Sequence, residues 1–379
     1  MSEMSYLEKL LDGVEVEWKT LGSIAELKRG TSITKKDVID GTIPVVAGGR
    51  TPAYYHNTSN RDGQTIVIAG SGAYAGFVSW WEEPIFVSDA FTVKPHNILL
   101  PRYCYHFLMN MQQQLHEFKS GGGVPHVYPR DVSPILIPIP CPDNPEKSLA
   151  IQSEIVRILD KFTALTAELN AELNMRKKQY NYYRDQLLSF EEGEVEWKTL
   201  GDLGENLDSK RKPITSGLRE AGSIPYYGAS GIVDYVKDYI FDGDFLLISE
   251  DGANLLARNT PIAFSISGKS WVNNHAHVIK FDSYAERRYV EYYLNSIDLS
   301  PYISGAAQPK LNKKNLESIR IPNPSPEDKE RIVSILDKFD ALTNSINEGL
   351  PREIELRQKQ YEHYRDLLFS FPKPEAASN

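Results

Sequence analysis

The sequence predicts an α+β protein with two pseudo-symmetric globular domains, separated by two long helices that form an antiparallel coiled coil. Two observations predict this arrangement. The octapeptide EVEWKTLG occurs at residues 15–22 and again at residues 194–201, 179 positions further on in a chain of 379 residues. Each half of the chain also ends in a segment of about 40 residues with heptad-like apolar spacing. A period this long that occurs only twice indicates a duplicated domain and not a solenoid.

The repeat extends well beyond the octapeptide. Residues 153–190 align with residues 329–371, and residues 120–140 (SGGGVPHVYPRDVSPILIPIP) align with residues 304–324 (SGAAQPKLNKKNLESIRIPNP). The chain is therefore two copies of one unit, each a globular part followed by a helix. The predicted segments are a first globular domain at 1–150, a central spacer helix at 151–190, a second globular domain at 191–325, a distal spacer helix at 326–371 and a flexible tail at 372–379.

The helical segments carry one apolar stripe each. Apolar residues step by three and four positions from Ile155 to Leu169 in the central segment and from Ile332 to Ile346 in the distal one. A helix with one apolar stripe needs a partner. We expect the other helix to be that partner, with folding of each helix onto its own globular domain as the alternative. Pro351 is predicted to kink or interrupt the distal helix.

The globular parts have the patterns of short strands and amphipathic helices. The apolar stretches TIVIA (65–69), FVSWW (77–81) and AFTVK (90–94) predict strands in the first half, and FLLIS (245–249) and AHVIKF (276–281) predict strands in the second. Helical apolar spacing over residues 102–118 and 287–297 predicts one helix in each domain.

Composition excludes several classes of protein. The net charge is −9 and no segment is a basic block, so DNA contacts would have to come from local clusters or from a partner. The two cysteines, Cys104 and Cys141, support neither a disulfide framework nor a zinc site. No apolar run is long enough to cross a membrane and no secretory signal begins the chain, so we expect a cytoplasmic protein without membrane contact.

The sequence contains no visible catalytic or metal site. The stretch IVIAGSGAYAG (66–76) has the glycine spacing of a dinucleotide-binding loop, but a strand-like segment follows it where that motif needs a helix. We therefore predict a tight turn between strands, with an enzyme that binds a nucleotide at residues 70–76 as a remaining alternative. His275 and His277 have no third ligand suggested by the sequence.

Basic and amide residues gather on predicted loops at equivalent places in the two halves. Such side chains can contact phosphates or read base edges. The candidate DNA-binding residues are Lys28, Arg29, Lys35, Lys36, Arg50, Lys119, His126 and Arg130 in the first half, and Lys210, Arg211, Lys212, Asn273, Asn274, Lys310, Lys313 and Lys314 in the second.

The whole chain resembles the specificity (S) subunit of type I restriction–modification systems. The resemblance rests on the two ILDKF…KQY..YRD.L.SF helices, on the TAELNAEL run at residues 166–173, and on the similar strand ends of both globular parts. It implies that each globular domain is a target-recognition domain that reads one half of a split DNA sequence. It also implies that the helices form an antiparallel coiled coil that acts as a spacer and as a docking surface.

The partners implied by the resemblance are double-stranded DNA, two methyltransferase (M) subunits and a nuclease/translocase (R) subunit. The chain itself would bind no cofactor, and the methyltransferase subunit would use S-adenosylmethionine. The KQY..YRD ends are our candidates for partner or inter-helix contacts, namely Tyr180, Tyr183, Arg184, Tyr361, Tyr364 and Arg365. Trp18 and Trp197 are expected to pack each domain against a helix. The alternative function is a DNA-binding regulator or adaptor that acts without a methyltransferase.

Overall fold

A computed structural model describes residues 6–121, 123–191, 193–305, 308–345 and 347–372 of the chain. These residues form two compact units. Of the described residues, those up to 170 form the first unit together with those from 353 onward, and those between 171 and 352 form the second. Two sequence predictions, the apolar stripe at Ile346 and most of the tail, at residues 373–379, lie outside the described residues.

The first unit contains three antiparallel or mixed sheets. The strands are β1 (Val16–Thr20), β2 (Ala25–Arg29), β3 (Ile43–Val46), β4 (Tyr54–His56), β5 (Thr65–Ala69), β6 (Val78–Trp81), β7 (Phe86–Val87), β8 (Ala90–Pro95) and β9 (Leu136–Pro140). They pair in the orders β2-β8-β5-β6, β4-β3-β7 and β1-β9. Every residue of β5 is buried, which explains its uninterrupted apolar sequence.

Among the described residues, five short helices and the first part of one long helix belong to this unit. They are α1 (Tyr6–Leu11), α2 (Leu21–Ile24), α3 (Pro101–Asn110), α4 (Gln112–Glu117), α5 (Pro129–Val132) and α6 (Pro145–Leu188). The single helix expected over residues 102–118 is two helices, because α3 ends at Asn110 and the backbone leaves the helical conformation at Met111. The long helix α6 begins six residues before the expected position 151.

The second unit repeats this arrangement. Its strands are β10 (Glu196–Thr199), β11 (Glu205–Asn206), β12 (Ala221–Gly228), β13 (Gly231–Val236), β14 (Phe241–Asp242), β15 (Phe245–Ser249), β16 (Ala263–Ile266), β17 (Lys269–Val272), β18 (Ala276–Lys280) and β19 (Arg320–Asn323). The order β11-β18-β15-β16 matches β2-β8-β5-β6, and β10-β19 matches β1-β9. The register also matches, since Trp18 lies opposite Pro138 and Trp197 lies opposite Pro322. The strands expected from the sequence are confirmed.

The helices of the second unit are α7 (Leu200–Leu203), α8 (Asn254–Ala257), α9 (Tyr284–Ser296), α10 (Lys313–Glu317), α11 (Pro326–Thr343) and α12 (Gly349–Leu368), of which α12 continues into the first unit. The expected interruption of the distal helix comes before Pro351. Gly349 has a φ of 73°, and a Cβ there would lie 2.3 Å from the carbonyl oxygen of Ala341. Only glycine fits this close approach, and the distal helix is interrupted between Thr343, the last residue of α11, and Gly349, the first of α12.

Within each unit, two helix segments pair and also pack on the globular domain. In the first unit, Ile155 and Leu159 of α6 join the same apolar core as Leu368 of α12. In the second, Leu188 of α6 shares a core with Leu336 of α11. The two arrangements considered from the sequence, helix pairing and packing onto a helix's own domain, therefore occur together. No helix in the described part of the chain has the length and apolarity that a membrane span requires.

Candidate nucleic-acid interface

Three loops of the first unit converge around the glycine-rich turn between β5 and β6. The strands pair in an antiparallel hairpin, with Ile68 opposite Val78, as expected from the sequence. Their connection, residues 70–77, is longer than the predicted tight turn. Lys119 donates a hydrogen bond of 2.9 Å from Nζ to the carbonyl of Ala73. The guanidinium of Arg50 lies 4.9 Å from the ring centre of Tyr74. Two predicted DNA-binding residues from distant parts of the sequence therefore lie beside one turn.

A second group of candidates surrounds the ring of Tyr128. The guanidinium groups of Arg29 and Arg130 lie 5.1 and 4.7 Å from its centre. His126 stacks on the same ring at 5.7 Å with an interplanar angle of 13°. Cation–π and stacking contacts of this kind fix the positions of side chains that would otherwise be mobile. Tyr128 is not among the residues predicted from the sequence, although it lies between two of them in the stretch HVYPR.

These residues line a polar pocket of about 560 Å³ in the first unit. Its walls include Arg29, Gly70, Phe91, His126 and Tyr128. The backbone amide of Val127 donates to the carbonyl of Gly70, which holds the loop before α5 against the glycine-rich turn. The pocket thus lies between the end of β2, which carries Arg29, and the loop that carries His126 and Tyr128.

The remaining candidates of the first unit lie outside these contacts. Lys28 lies on β2 and lines a smaller pocket with Arg61. Lys35 and Lys36 are exposed in the turn that follows β2.

The second unit presents a different arrangement at the same place. Arg211 is largely buried, and its Nη1 lies 2.6 Å from Oε2 of Glu250. Lys310 lies 3.1 Å from Oε1 of the same carboxylate, although its own side chain is half exposed. Glu250 was not singled out in the sequence, because one acidic residue after an apolar strand carries no distinguishing pattern.

The other candidates of the second unit fall into two groups. Asn273 is buried, and its side-chain oxygen accepts a hydrogen bond of 2.8 Å from the backbone amide of His275, so it shapes a turn. The exposed candidates are Lys210, Lys212, Asn274, Lys313 and Lys314. Of these, Lys313 lies 3.6 Å from Glu317 within α10.

Three residues of the second unit have the composition of a metal site. Among the described residues, Asp208, Glu250 and His277 place potential ligand atoms within 4.8 Å of one another. Nδ1 of His277 faces Asp208 at 2.6 Å, and Nε2 faces the carbonyl of Leu311 at 2.7 Å. Both ring nitrogens therefore already face oxygen atoms of the protein, at Asp208 and Leu311. The group is a charge-paired network.

In the first unit, the tyrosines predicted for helix contacts join α6 and α12. The ring of Tyr364 stacks on Phe162 at 5.2 Å. Tyr361 contacts His106 of α3 through its hydroxyl, 3.0 Å from Nδ1, and burial raises the pKa of this tyrosine to about 12. Arg365 donates a hydrogen bond of 3.0 Å to the side chain of Asn110.

Corresponding residues join α6 and α11 in the second unit. Tyr183 stacks on Phe339 at 5.8 Å, and the ring of Tyr180 lies 6.3 Å from the same phenylalanine. Burial raises the pKa of Tyr180 to about 12. Arg184 pairs with Asp185 at 2.7 Å. The two units thus use the same aromatic contact between helices.

The junctions of domain and helix are also alike. In the first unit Tyr103 donates a hydrogen bond of 3.0 Å to the carbonyl of Pro138, and in the second Tyr289 donates one of 3.0 Å to the carbonyl of Pro322. Trp18 donates from Nε1 to the carbonyl of Pro372, 2.8 Å away and just beyond the end of α12. The octapeptide that recurs in the sequence thus belongs to the junction in the first unit.

Comparisons with known proteins agree with this architecture. The family described as the type I restriction modification DNA specificity domain matches the chain twice, at residues 13–175 and 192–356. The specificity subunit of the type I restriction enzyme EcoR124I/EcoR124II from Escherichia coli is 43% identical over 426 aligned positions, which span 100% of both chains. The EcoprrI specificity subunit from the same species is 37% identical and covers 92% of this chain and 93% of its own length.

Among solved structures, the S subunit of a type I restriction–modification system from M. genitalium has a similar fold. It superimposes with a TM-score of 0.66 at 18% identity and covers 98% of this chain and 100% of its own.

Proposed function

This chain belongs to the family of type I restriction–modification specificity subunits, and on that premise we propose that each globular domain reads one half of a bipartite DNA target. As a specificity subunit, the chain is a recognition component and not a catalytic one. The loops around Tyr128 in the first domain and around Glu250 in the second are the proposed DNA-contacting regions. The proposal places the chain in the cytoplasm, together with its DNA.

One contrast between the two units supports this proposal. At the junction of domain and helix, the same side-chain types make the same contacts, as with Tyr103 and Tyr289. At the loops, equivalent positions carry different side chains, as with Gly70 and Glu250 or His126 and Lys310. A protein that reads two different sequences from one duplicated unit needs this combination of a constant support and variable reading loops.

The helices supply the spacing and the docking surface in this proposal. Two readers on one chain convert the second binding event into an intramolecular one, which raises the affinity for a target with the correct gap. Two methyltransferase subunits and a nuclease/translocase subunit are the proposed partners. S-adenosylmethionine, the methyl donor, would be held by the methyltransferase partner and not by residues of this chain.

A binding experiment tests the proposal. We expect the chain assembled with its methyltransferase subunit to bind a duplex that contains the sequence methylated in cells that express both proteins, and to discriminate against changes in either half. The chain alone should bind more weakly and discriminate less. Site-specific binding of equal strength by the chain alone would instead indicate a regulator that acts without a methyltransferase.

A further inference from the structure

The place of the first unit's polar pocket, lined by Arg29, Gly70 and His126, is occupied by side chains in the second unit. The strand registers align Phe91 with His277, since Ile68 pairs with the former and Ile248 with the latter. In the same way, Gly70 follows β5 as Glu250 follows β15. His126 corresponds to Lys310, because each bridges back to a serine, at Ser120 and Ser304.

Charged side chains occupy this place in the second unit. Glu250 binds the guanidinium of Arg211 at 2.6 Å and the ammonium of Lys310 at 3.1 Å. Arg211 also donates a hydrogen bond of 2.8 Å to the carbonyl of Ala276, and it lies 3.4 Å from Asp208. Each carboxylate of the network thus faces at least one cation.

The network joins three separate segments of the second domain. Arg211 lies in the basic segment 208–212, Glu250 directly follows β15, and Lys310 lies just before α10. The backbone adds a further link, because the amide of Leu311 donates to the carbonyl of Glu250 at 2.7 Å. Lys210 and Lys212 flank Arg211 and are exposed. Arg211 therefore anchors the segment that carries these two lysines, together with the bond of 2.6 Å from Nε1 of Trp271 to the carbonyl of Lys212.

The electrostatics favour an ionised carboxylate at the centre. Burial alone would raise the pKa of Glu250, but hydrogen bonds from Arg211 and Lys310 outweigh it and lower that pKa. Removing the charge would leave Arg211, whose side chain is only 13% exposed, without its closest partner. Asp208, at 3.4 Å, would then be the remaining anionic partner of Arg211. This weaker pairing of a largely buried charge favours movement of the segment towards solvent.

We propose that Glu250 is a positioning residue for DNA recognition by the second domain: its carboxylate holds the basic segment 208–212 and Lys310 in the arrangement that contacts DNA. The inference rests on the proposed function of the domain. The first domain has glycine at this position, so its basic loops are arranged through the ring of Tyr128 and do not depend on such a carboxylate.

The test uses the full chain assembled with its methyltransferase subunit and three duplexes. The first duplex carries the sequence that is methylated in cells. The second has a single base-pair change in one half of that sequence, and the third has a single base-pair change in the other half. The wild-type assembly should bind both altered duplexes more weakly, as the proposed function requires. Glu250→Gln should keep the loss of affinity, here called the penalty, that is caused by the change in the half read by the first domain. It should reduce the penalty for the change in the half read by the second domain by about tenfold. Glu250→Asp, which keeps the charge, should restore part of the penalty for the change in the half read by the second domain.

Two further variants separate positioning from general destabilisation. Arg211→Lys keeps a cation but cannot span its three partners, so it should weaken discrimination at the same half and provides the test if Glu250→Gln does not fold. Glu220→Gln removes an exposed pair with Lys237, at 2.9 Å in the same domain, and should change neither penalty. Suppose that the wild type discriminates against both altered duplexes. The inference is wrong if Glu250→Gln and Arg211→Lys each keep the two penalties, or if each loses the two penalties equally. A wild type without discrimination would instead contradict the proposed function.

Discussion

The carboxylate of Asp160 accepts a hydrogen bond of 2.7 Å from the guanidinium of Arg102, and this contact fastens helix α3 of the first domain to the long helix α6. In the second unit Asp337 of α11 accepts one of 3.0 Å from Arg288 of α9. Both aspartates belong to the sequence ILDKF, which occurs once in each helical repeat. The repeated motif is thus the attachment of a reading domain to its support.

Replacement of this aspartate should loosen the attachment. Asp160→Ala leaves Arg102 and the buried His106 without their common acceptor, and we expect a loss of about 1 to 2 kcal/mol in the free energy of unfolding. Chemical denaturation of the full chain measures this change in the free energy of unfolding. Asp337→Ala should give a loss of similar size, and Asp366→Ala, which removes an exposed carboxylate of α12, provides the control. A loss no larger than that of the control would contradict the assigned role.

The aromatic stacks should contribute to pairing of the helices. Tyr364→Ala removes the partner of Phe162, and Tyr183→Ala removes a partner of Phe339. Each stack should stabilise the pair by about 0.5 to 1.5 kcal/mol beyond the area it buries. Tyr55→Ala, which removes an exposed tyrosine of β4 in the first unit, is the control. Thermal unfolding of the three variants compares them, and equal melting temperatures would refute the assignment.

The two units should differ in their response to mild acid. His106 is fully buried, and this burial lowers its pKa below the usual 6.5 despite the hydrogen bond to Asp160. Its neutral ring fits the site, since Nε2 donates to Asp160 and Nδ1 accepts from Tyr361. A lowered pKa means that stability present above 6.5 is lost as the pH falls towards the folded-state value. Arg102 and Arg365 also oppose a charged ring.

Hydrogen exchange resolves this difference between units. Between pH 7 and pH 5, and after correction for intrinsic rates, exchange protection of α3 should fall more than that of α9. The position equivalent to His106 in α9 is Tyr292, whose hydroxyl donates to Asp337 and whose pKa burial raises above the usual range. His106→Gln should remove the pH dependence of α3. Equal loss of protection in both helices would show that His106 is not the titrating group.

The length of the central helix should set the gap in the DNA target. Adding or deleting a four-residue step within residues 166–173 changes a helix by about 6 Å, so the gap should change by one or two base pairs while both half-sites stay the same. Mapping of methylated sites in cells that express the variants measures the gap. Altered half-sites would contradict the role of this helix as a spacer.

The sequence predicted the frame of the protein better than its reading surface. Repetition and apolar spacing identify strands such as β5 and the long helices, because burial imposes a periodic pattern on the chain. The break at Met111 could not be foreseen, because apolar residues continue through it on one helical face. The partnership of Glu250 with Arg211 and Lys310 has no local pattern, because residues far apart in sequence meet only after the strands have paired. Asn273 resembles an exposed amide in sequence, yet the turn before β18 buries it.

Each domain is proposed to read its own half of the target. Mapping of methylated DNA in cells tests it most directly, with residues 23–150 replaced by the corresponding segment of a relative that reads a different sequence. We expect a new methylated target in which one half has changed and the other half is the same as before. A target in which both halves have changed, with the second domain intact, would contradict it.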